Sequence, residues 1–192
     1  MKSFPTTARA TALVLLVALC ATAAQAEQKL LPAQSEITFV SKQMGVPVEG
    51  RFKKFDAQIA FDPTKPQTGK IAFTIDIASV TLGSPEPDAE LPKAPWFNTA
   101  KFPQATFQSS SIKGLGGGKF EVLGKLTIKG NAQDAVIPVT LVQTGPTTTA
   151  SGLLTIKRLA YKIGENEWAD TAMVADDVQV KFKLTLTGVA KF

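Results

Sequence analysis

The chain has 192 residues, with 21 Lys and Arg against 16 Asp and Glu, and it contains no histidine. So mild a basic excess excludes a strongly basic nucleic-acid surface, and the missing imidazole removes both the usual general base and the commonest metal ligand. A single cysteine, Cys20, excludes a disulfide framework. In chain order, Lys2 and Arg9 form a basic n-region, Ala12 to Leu19 an apolar core, and Ala24-Gln25-Ala26 an A-x-A site. This predicts a Sec-type signal peptide over residues 1–26, cleaved before Glu27, and hence a periplasmic protein. The apolar run is well short of the ~20 residues a spanning helix needs. Leu19 stands where a bacterial lipobox takes Gly, Ala or Ser, against lipidation of Cys20.

Cleavage would leave one domain, residues 27–192, without cysteine and with net charge +3, because the leader carries two bases and no acid. Such a domain is large enough to bury a substantial core and must be held by burial alone. Lys42, Arg51, Lys53 and Lys54 are its densest basic group, either a solvated face or a contact for an anionic headgroup.

Past the leader the dominant period is two, the mark of half-buried strands. Ile37 to Ser41 and Val48 to Phe61 come first, carrying Phe39, Phe52 and Phe61; Asp62-Pro63 and Lys65-Pro66 then break the chain. Over Lys70 to Val80, Ile71, Phe73, Ile75 and Ile77 oppose Ala72, Thr74, Asp76 and Ala78. Pro85 to Pro95, rich in proline and acid, predicts a short helical or irregular segment near 85–97. Pro103 forbids helical continuation, and alternation resumes over Thr106 to Ile112 with Phe107. After the Gly116-Gly117-Gly118 hairpin, Phe120, Val122, Gly124, Leu126 and Ile128 oppose Glu121, Leu123, Lys125 and Thr127. Gly130-Asn131 and Gly145-Pro146 set off Val136 to Val142 and Thr148 to Lys157. Tyr161 to Asp177 lacks the period, and the last strand places Val178, Val180, Phe182, Leu184 and Leu186 against Gln179, Lys181, Lys183, Thr185 and Thr187.

About eight strands result, joined by turns that favour antiparallel order. One wet and one dry face suit a sandwich or a closed barrel, and closure disposes of edge strands. The expected fold is therefore all-β, an extended antiparallel β-barrel of about eight strands. Gly50 and Gly124, inside strands, mark a bulge, strong curvature or a close approach.

The chemistry is mostly excluded. No G-x-S-x-G elbow is present, and a zinc site would lack both nitrogen and sulfur ligands. Asp176-Asp177 and the group Glu86, Asp88 and Glu90 read as turn and cap acids, or as a calcium or paired-carboxylate site without EF-hand spacing. The triple glycine lacks the Lys-Ser/Thr of a phosphate loop. The reading is no enzyme, no catalytic residue, no metal and no cofactor.

What the chain offers is apolar volume. Phe39, Phe52, Phe61, Phe73, Ile75, Ile77, Phe107, Phe120, Val122, Val180, Phe182 and Leu184 lie on strand faces, where they either fill an ordinary core or line a bore. A barrel of about eight strands can be packed solid or can hold one small ligand. Strands of ~9 residues at ~3.3 Å each would make that bore up to ~30 Å long.

Ordered blocks resemble one family. Ser35-Glu36-Ile37-Thr38-Phe39 is similar to its opening S-x-I-x-F, and Val48-Glu49-Gly50-Arg51-Phe52 with Phe55 to the V-x-G-x-F-x-x-F that follows. Phe61-Asp62-Pro63, Thr74 to Val80, the block from Trp96 to Ser111 (WFNTAKFPQATFQSSS) and Gly124 to Gly130 continue in family order. This is the pattern of the YceI-like family. The resemblance implies a periplasmic, lipocalin-like barrel holding a polyisoprenoid, an isoprenoid quinone or another long amphiphilic lipid, with Trp96 and Phe97 as an apolar lid at its mouth. Two family histidines are replaced here, within Lys42-Gln43-Met44-Gly45 and within Pro87-Asp88-Ala89-Glu90-Leu91. Partners implied are the lipid and a transient membrane or membrane-protein contact; a homodimer is compatible, nucleic acid is not. The alternative function is a non-catalytic accessory domain docking on a membrane redox protein.

Overall fold

The alternation of apolar and polar side chains is realised as one antiparallel sheet of eleven strands in the computed structural model, which describes residues 27–192. The leader expected over residues 1–26 lies outside the described residues. The strands are β1 (Lys29–Leu30), β2 (Glu36–Gln43), β3 (Val46–Phe52), β4 (Phe55–Ala60), β5 (Lys70–Asp76), β6 (Val80–Thr81), β7 (Gln104–Gly116), β8 (Lys119–Ile128), β9 (Asn131–Thr144), β10 (Thr147–Lys157) and β11 (Asp177–Thr187). Their order is β4-β5-β7-β8-β9-β10-β11-β2-β3-β6, with β1 paired to β11.

A closed barrel of eight strands is corrected to an open half-barrel of eleven, lipocalin-like in its curl. The eight long segments expected are present, but the run from Val48 to Phe61 divides at Lys53–Lys54. Its first half, β3, pairs with β2, and its second half, β4, pairs with β5. β3 and β4 thus stand near opposite ends of the ladder path while being consecutive in the chain, with no ladder between them. The two-residue strands β1 and β6 make up the count. Lys70 to Val80 is also not one strand. At its end the Asp76 carboxylate accepts the Ala78 N–H at 3.0 Å and starts a 3-10 turn over Ile77–Ser79, which buries Ile77.

The hairpin turns follow from backbone preference. Met44 and Gly45, and Lys129 and Gly130, all have positive φ, as type I′ turns between right-twisted strands require. The short helix α1 (Pro85–Glu90) falls in the segment expected to be irregular. Proline at its first turn costs nothing there, since that N–H has no intrahelical partner. Gly50 and Gly124 are sites of close approach. Phe39 sits directly opposite Gly50 in a regular ladder, and its ring occupies the space a Cβ would need. The bulge is one strand away from Gly124: Ser110 of β7 is the extra residue between the pairs Ser109–Gly124 and Ser111–Leu123. It shifts the inward parity of β7 from Ala105 and Phe107 to Ile112.

Inward side chains gather in two clusters. One contains Leu30, Phe61, Phe107, Ile112, Phe120, Val122, Leu141, Ala150 and Leu186; the other contains Ile77, Val80, Leu91, Phe97, Ala105, Ile128, Tyr161 and Ile163. The first surrounds the end of the curl where the β7–β8 and β9–β10 hairpins turn. The second lies at the end covered by segments 82–103 and 158–176.

Candidate ligand-binding bore

Between and through these clusters runs a cavity of about 270 Å³. Thirty-four residues line it, and only Ser41 and Arg158 among them have polar side chains. The wall comes from nearly every strand because the alternation turns one face of each inward. All fourteen residues singled out from the sequence stand on this wall: Phe39, Phe52, Phe61, Phe73, Ile75, Ile77, Trp96, Phe97, Phe107, Phe120, Val122, Val180, Phe182 and Leu184. Aromatic contacts fix several of them. Phe61 meets Phe120 edge to face at 5.2 Å, Phe52 meets Phe97 edge to face at 6.4 Å, and Phe39 lies 5.5 Å from Phe52. Such pairs add roughly 0.5–1.5 kcal/mol beyond area burial.

The wall also includes residues that the alternation did not single out: Ile137, Val139 and Leu141 from β9, Ala150, Leu154 and Ile156 from β10, and Ile163. The strands were recognised, but in β9 the opposite face is apolar too, and in β10 the inward face opens with Thr148, Ala150 and Gly152, which give little apolar contrast. Val136, Val142 and Leu153 point outward and are about half exposed. Where both faces are apolar, period two gives the strand without telling inside from outside.

One end of the bore is capped by two segments that basic side chains hold in place. Arg158 opens a 3-10 turn (Arg158–Tyr161) and is almost fully buried. Its five N–H groups go to five backbone carbonyls: Nε to Ala175, Nη1 to Ile163 and Gly164, and Nη2 to Trp168 and Val174, at 2.6–3.1 Å. Burial pushes its pKa down, opposed by the nearby Asp176 carboxylate. With every donor committed, this guanidinium offers no hydrogen bond to a ligand. Lys129, buried in the β8–β9 turn, donates through Nζ to the carbonyls of Ala94 and Lys162 and pairs with Glu165 at 2.7 Å. It thereby joins the two capping segments, and its hydrogen bond holds the Glu165 carboxyl below the usual range. Trp96 meets Trp168 across the same junction, the rings tilted by 43° with centroids 5.3 Å apart. Phe97 is buried beneath it.

Four of the five acids weighed from the sequence have structural partners, and Glu86 is exposed on α1. The Asp88 carboxylate accepts the Thr81 hydroxyl and the Leu82 N–H, Glu90 pairs with Lys93, Asp176 accepts the Leu159 N–H, and Asp177 pairs with Lys157. Among the described residues no group of three or more His, Cys, Asp or Glu is placed to hold a metal. Lys53 and Lys54 donate their backbone N–H groups to the Ser79 hydroxyl at 3.1 and 2.9 Å. The bore therefore holds one free hydroxyl, on Ser41, and no acid, imidazole or thiol with which to do chemistry.

A curled antiparallel sheet around so uniformly apolar a bore is the architecture of a lipocalin-like domain. The chain belongs to the YceI-like domain family, whose model matches residues 29–186. It is 33% identical over 138 residues to a UPF0312 protein of Ectopseudomonas mendocina (strain ymp), covering 70% of this chain and 72% of that one. It spans about half the length of several further curated relatives it matches. Among solved structures it is similar to BcnA of Burkholderia cenocepacia, with 49% identity, a TM-score of 0.79, and coverage of 81% of this chain and 98% of that one. It shares its fold with a polyisoprenoid binding domain from Saccharophagus degradans, at 18% identity and a TM-score of 0.68, covering 84% of this chain and 98% of that one.

Proposed function

We propose that the protein is a periplasmic carrier or sequestering protein that holds a long-chain amphiphile, a polyisoprenoid or an isoprenoid quinone, in its bore. The observation that carries this reading is the wall itself, apolar at all but two of thirty-four positions and without a free charge. The similar fold of the Saccharophagus degradans polyisoprenoid binding domain supports the ligand class, and the leader-like residues 1–26 support export. The fourteen wall residues expected from the sequence are the proposed ligand contacts, with Trp96 and Phe97 at the capped end. A volume of about 270 Å³ lies near the lower edge of the roughly 300–1,000 Å³ typical of ligand sites, which favours a slender chain over a bulky ring system. Removing ~400 Å² of such a chain from water would gross about 10 kcal/mol before ordering costs. Organic extraction of the purified protein followed by mass spectrometry tests the reading: a stoichiometric long-chain lipid is expected. A protein that carries none and takes up no isoprenoid quinone when offered one would overturn it.

A further inference from the structure

The two ends of the half-barrel differ in how their charges are paired. At the capped end Lys93, Lys129 and Lys157 are tied to Glu90, Glu165 and Asp177, and Arg158 is buried. The opposite end is formed by the β4–β5 connection (61–70), the β7–β8 hairpin (113–121), the β9–β10 turn (142–148) and the final residues (188–192). These segments are neighbours in space: Pro66 lies beside Gly114, the Phe192 ring lies beside Gly118, and Gln143 Nε2 donates to the Val189 carbonyl. Five exposed lysines stand there, Lys65, Lys70, Lys113, Lys119 and Lys191, and none of them forms an ion pair among the described residues.

Only two acids share those segments. Asp62 is committed to Thr64, whose N–H and hydroxyl it accepts, and Glu121 lies opposite Lys113 in the ladder. Glu27 and Lys29, on the adjoining strand, neutralise one another at 3.1 Å. Five lysines against these two acids leave the end positive. Amid the lysines two large apolar side chains face solvent, Leu115 at the hairpin tip and Phe192, each about half exposed. Leu115 is the extra residue between the ladder pairs Gly114–Phe120 and Gly116–Lys119, and Gly116, Gly117 and Gly118, all with positive φ, form the tip beside it.

We infer that this hairpin end is a docking surface for an anionic lipid bilayer, with Leu115 and Phe192 entering the interface and the five lysines meeting lipid phosphates. The chemistry is that of interfacial anchors, in which modest apolar insertion adds to electrostatic attraction. Five lysines without acidic partners, set around two exposed apolar side chains, select this end for an anionic surface, so the capped end points away from the membrane. The surface goes beyond the carrier reading and does not depend on what the bore holds.

The test is co-sedimentation of the full chain with phosphatidylglycerol-containing vesicles and with pure phosphatidylcholine vesicles, at low and high salt. Binding to the anionic vesicles only, lost at high salt, is expected. The double substitution Lys113→Gln and Lys119→Gln should weaken it about 25-fold, at roughly fivefold per lysine. Leu115→Ser should weaken it further, while Lys42→Gln with Lys101→Gln leaves it unchanged. Thermal melting checks each variant, and Lys65→Gln with Lys191→Gln replaces the first pair if the hairpin is disturbed. Equal binding to both vesicle types would overturn the inference. So would indifference to the lysine variants, or insensitivity to Leu115→Ser combined with full competition by soluble polyglutamate, which would point to an acidic protein. Failure here leaves the extraction result untouched, and a lipid-free bore leaves vesicle binding untouched.

Discussion

A glycine inside a strand gives up side-chain packing, and in this molecule the space is taken by a phenylalanine ring. At Gly50 the atoms that a Cβ would meet closer than 3.0 Å all belong to the Phe39 ring and to Leu82, side chains that can rotate. At Gly124 the nearest atom is the backbone carbonyl of Gln108, fixed by the ladder, and the Phe107 ring closes the other side. The same methyl group therefore has different consequences at the two positions. Gly124→Ala should destabilise by about 3 kcal/mol, the upper part of the overpacking range, as measured by urea unfolding. Gly50→Ala should cost only about 1 kcal/mol, but it drives the Phe39 ring into the bore and should weaken binding of an apolar fluorescent probe more than it lowers stability. Equal stability losses at the two sites would mean that the Gln108 backbone yields as readily as a side chain.

The capping segments show how far a sequence pattern reaches. Arg158 satisfies five carbonyls of a segment with no ladder of its own, so Arg158→Lys, with three donors in place of five, leaves buried carbonyls unpaired. A loss of about 3 kcal/mol is expected, with proteolytic cleavage appearing within residues 158–176 before the sheet unfolds. A second cap contact is sensitive to acid. Hydrogen bonds from the Thr81 hydroxyl and then the Leu82 N–H lower the Asp88 pKa, so its contribution is fully present above the unfolded carboxylate value, near pH 4, and is lost as pH falls through the lower folded value. The difference in melting temperature between the wild type and Asp88→Asn should be constant above that pH and close below it. A difference independent of pH would assign the effect to packing.

Period two carried the long strands and their inward faces wherever the outward face was polar, as in β5, β8 and β11. It failed in β9, where both faces carry apolar residues, and in β10, where the inward Thr148, Ala150 and Gly152 contrast little with the outward Thr149 and Ser151. It also failed where the partner changes without any change of pattern, at Lys53–Lys54, because alternation encodes a strand and not its neighbour. Arg158 and Lys129 had no periodic signal at all. Their role depends on carbonyls 5 to 17 residues from Arg158 and 33 to 35 from Lys129 that only the assembled cap brings within reach.

At the scale of the whole molecule, the open seam is the consequence of that partner change. Between the end of the sheet that stops at β4 and the strands β1 and β3, two side chains stand in for the missing ladder. At the capped end Ser79 Oγ accepts the N–H groups of Lys53 and Lys54 and donates to the Asp76 carbonyl at 2.6 Å. At the hairpin end the Gln28 amide imitates a strand pair, accepting the Phe61 N–H at 2.9 Å and donating to the Phe61 carbonyl at 2.5 Å. Both clips border the bore, the first beside Phe52, Ile75 and Ile77 and the second beside Ile59 and Phe61, but at the second the adjoining strand β1 is held to β11 by just two residues. Removing either clip sacrifices two or three hydrogen bonds of partly exposed groups, so Gln28→Ala and Ser79→Ala should each cost about 1–2 kcal/mol in chemical unfolding. Their effects on ligand exchange should differ. Gln28→Ala frees the edge of β4 beside Leu30 and Phe61, and stopped-flow displacement of a bound apolar probe should accelerate several-fold, while Ser79→Ala leaves the rate near that of the wild type. Equal acceleration in the two variants would show that exchange follows global loosening of the sheet, and acceleration in Ser79→Ala alone would move the route of entry to the capped end.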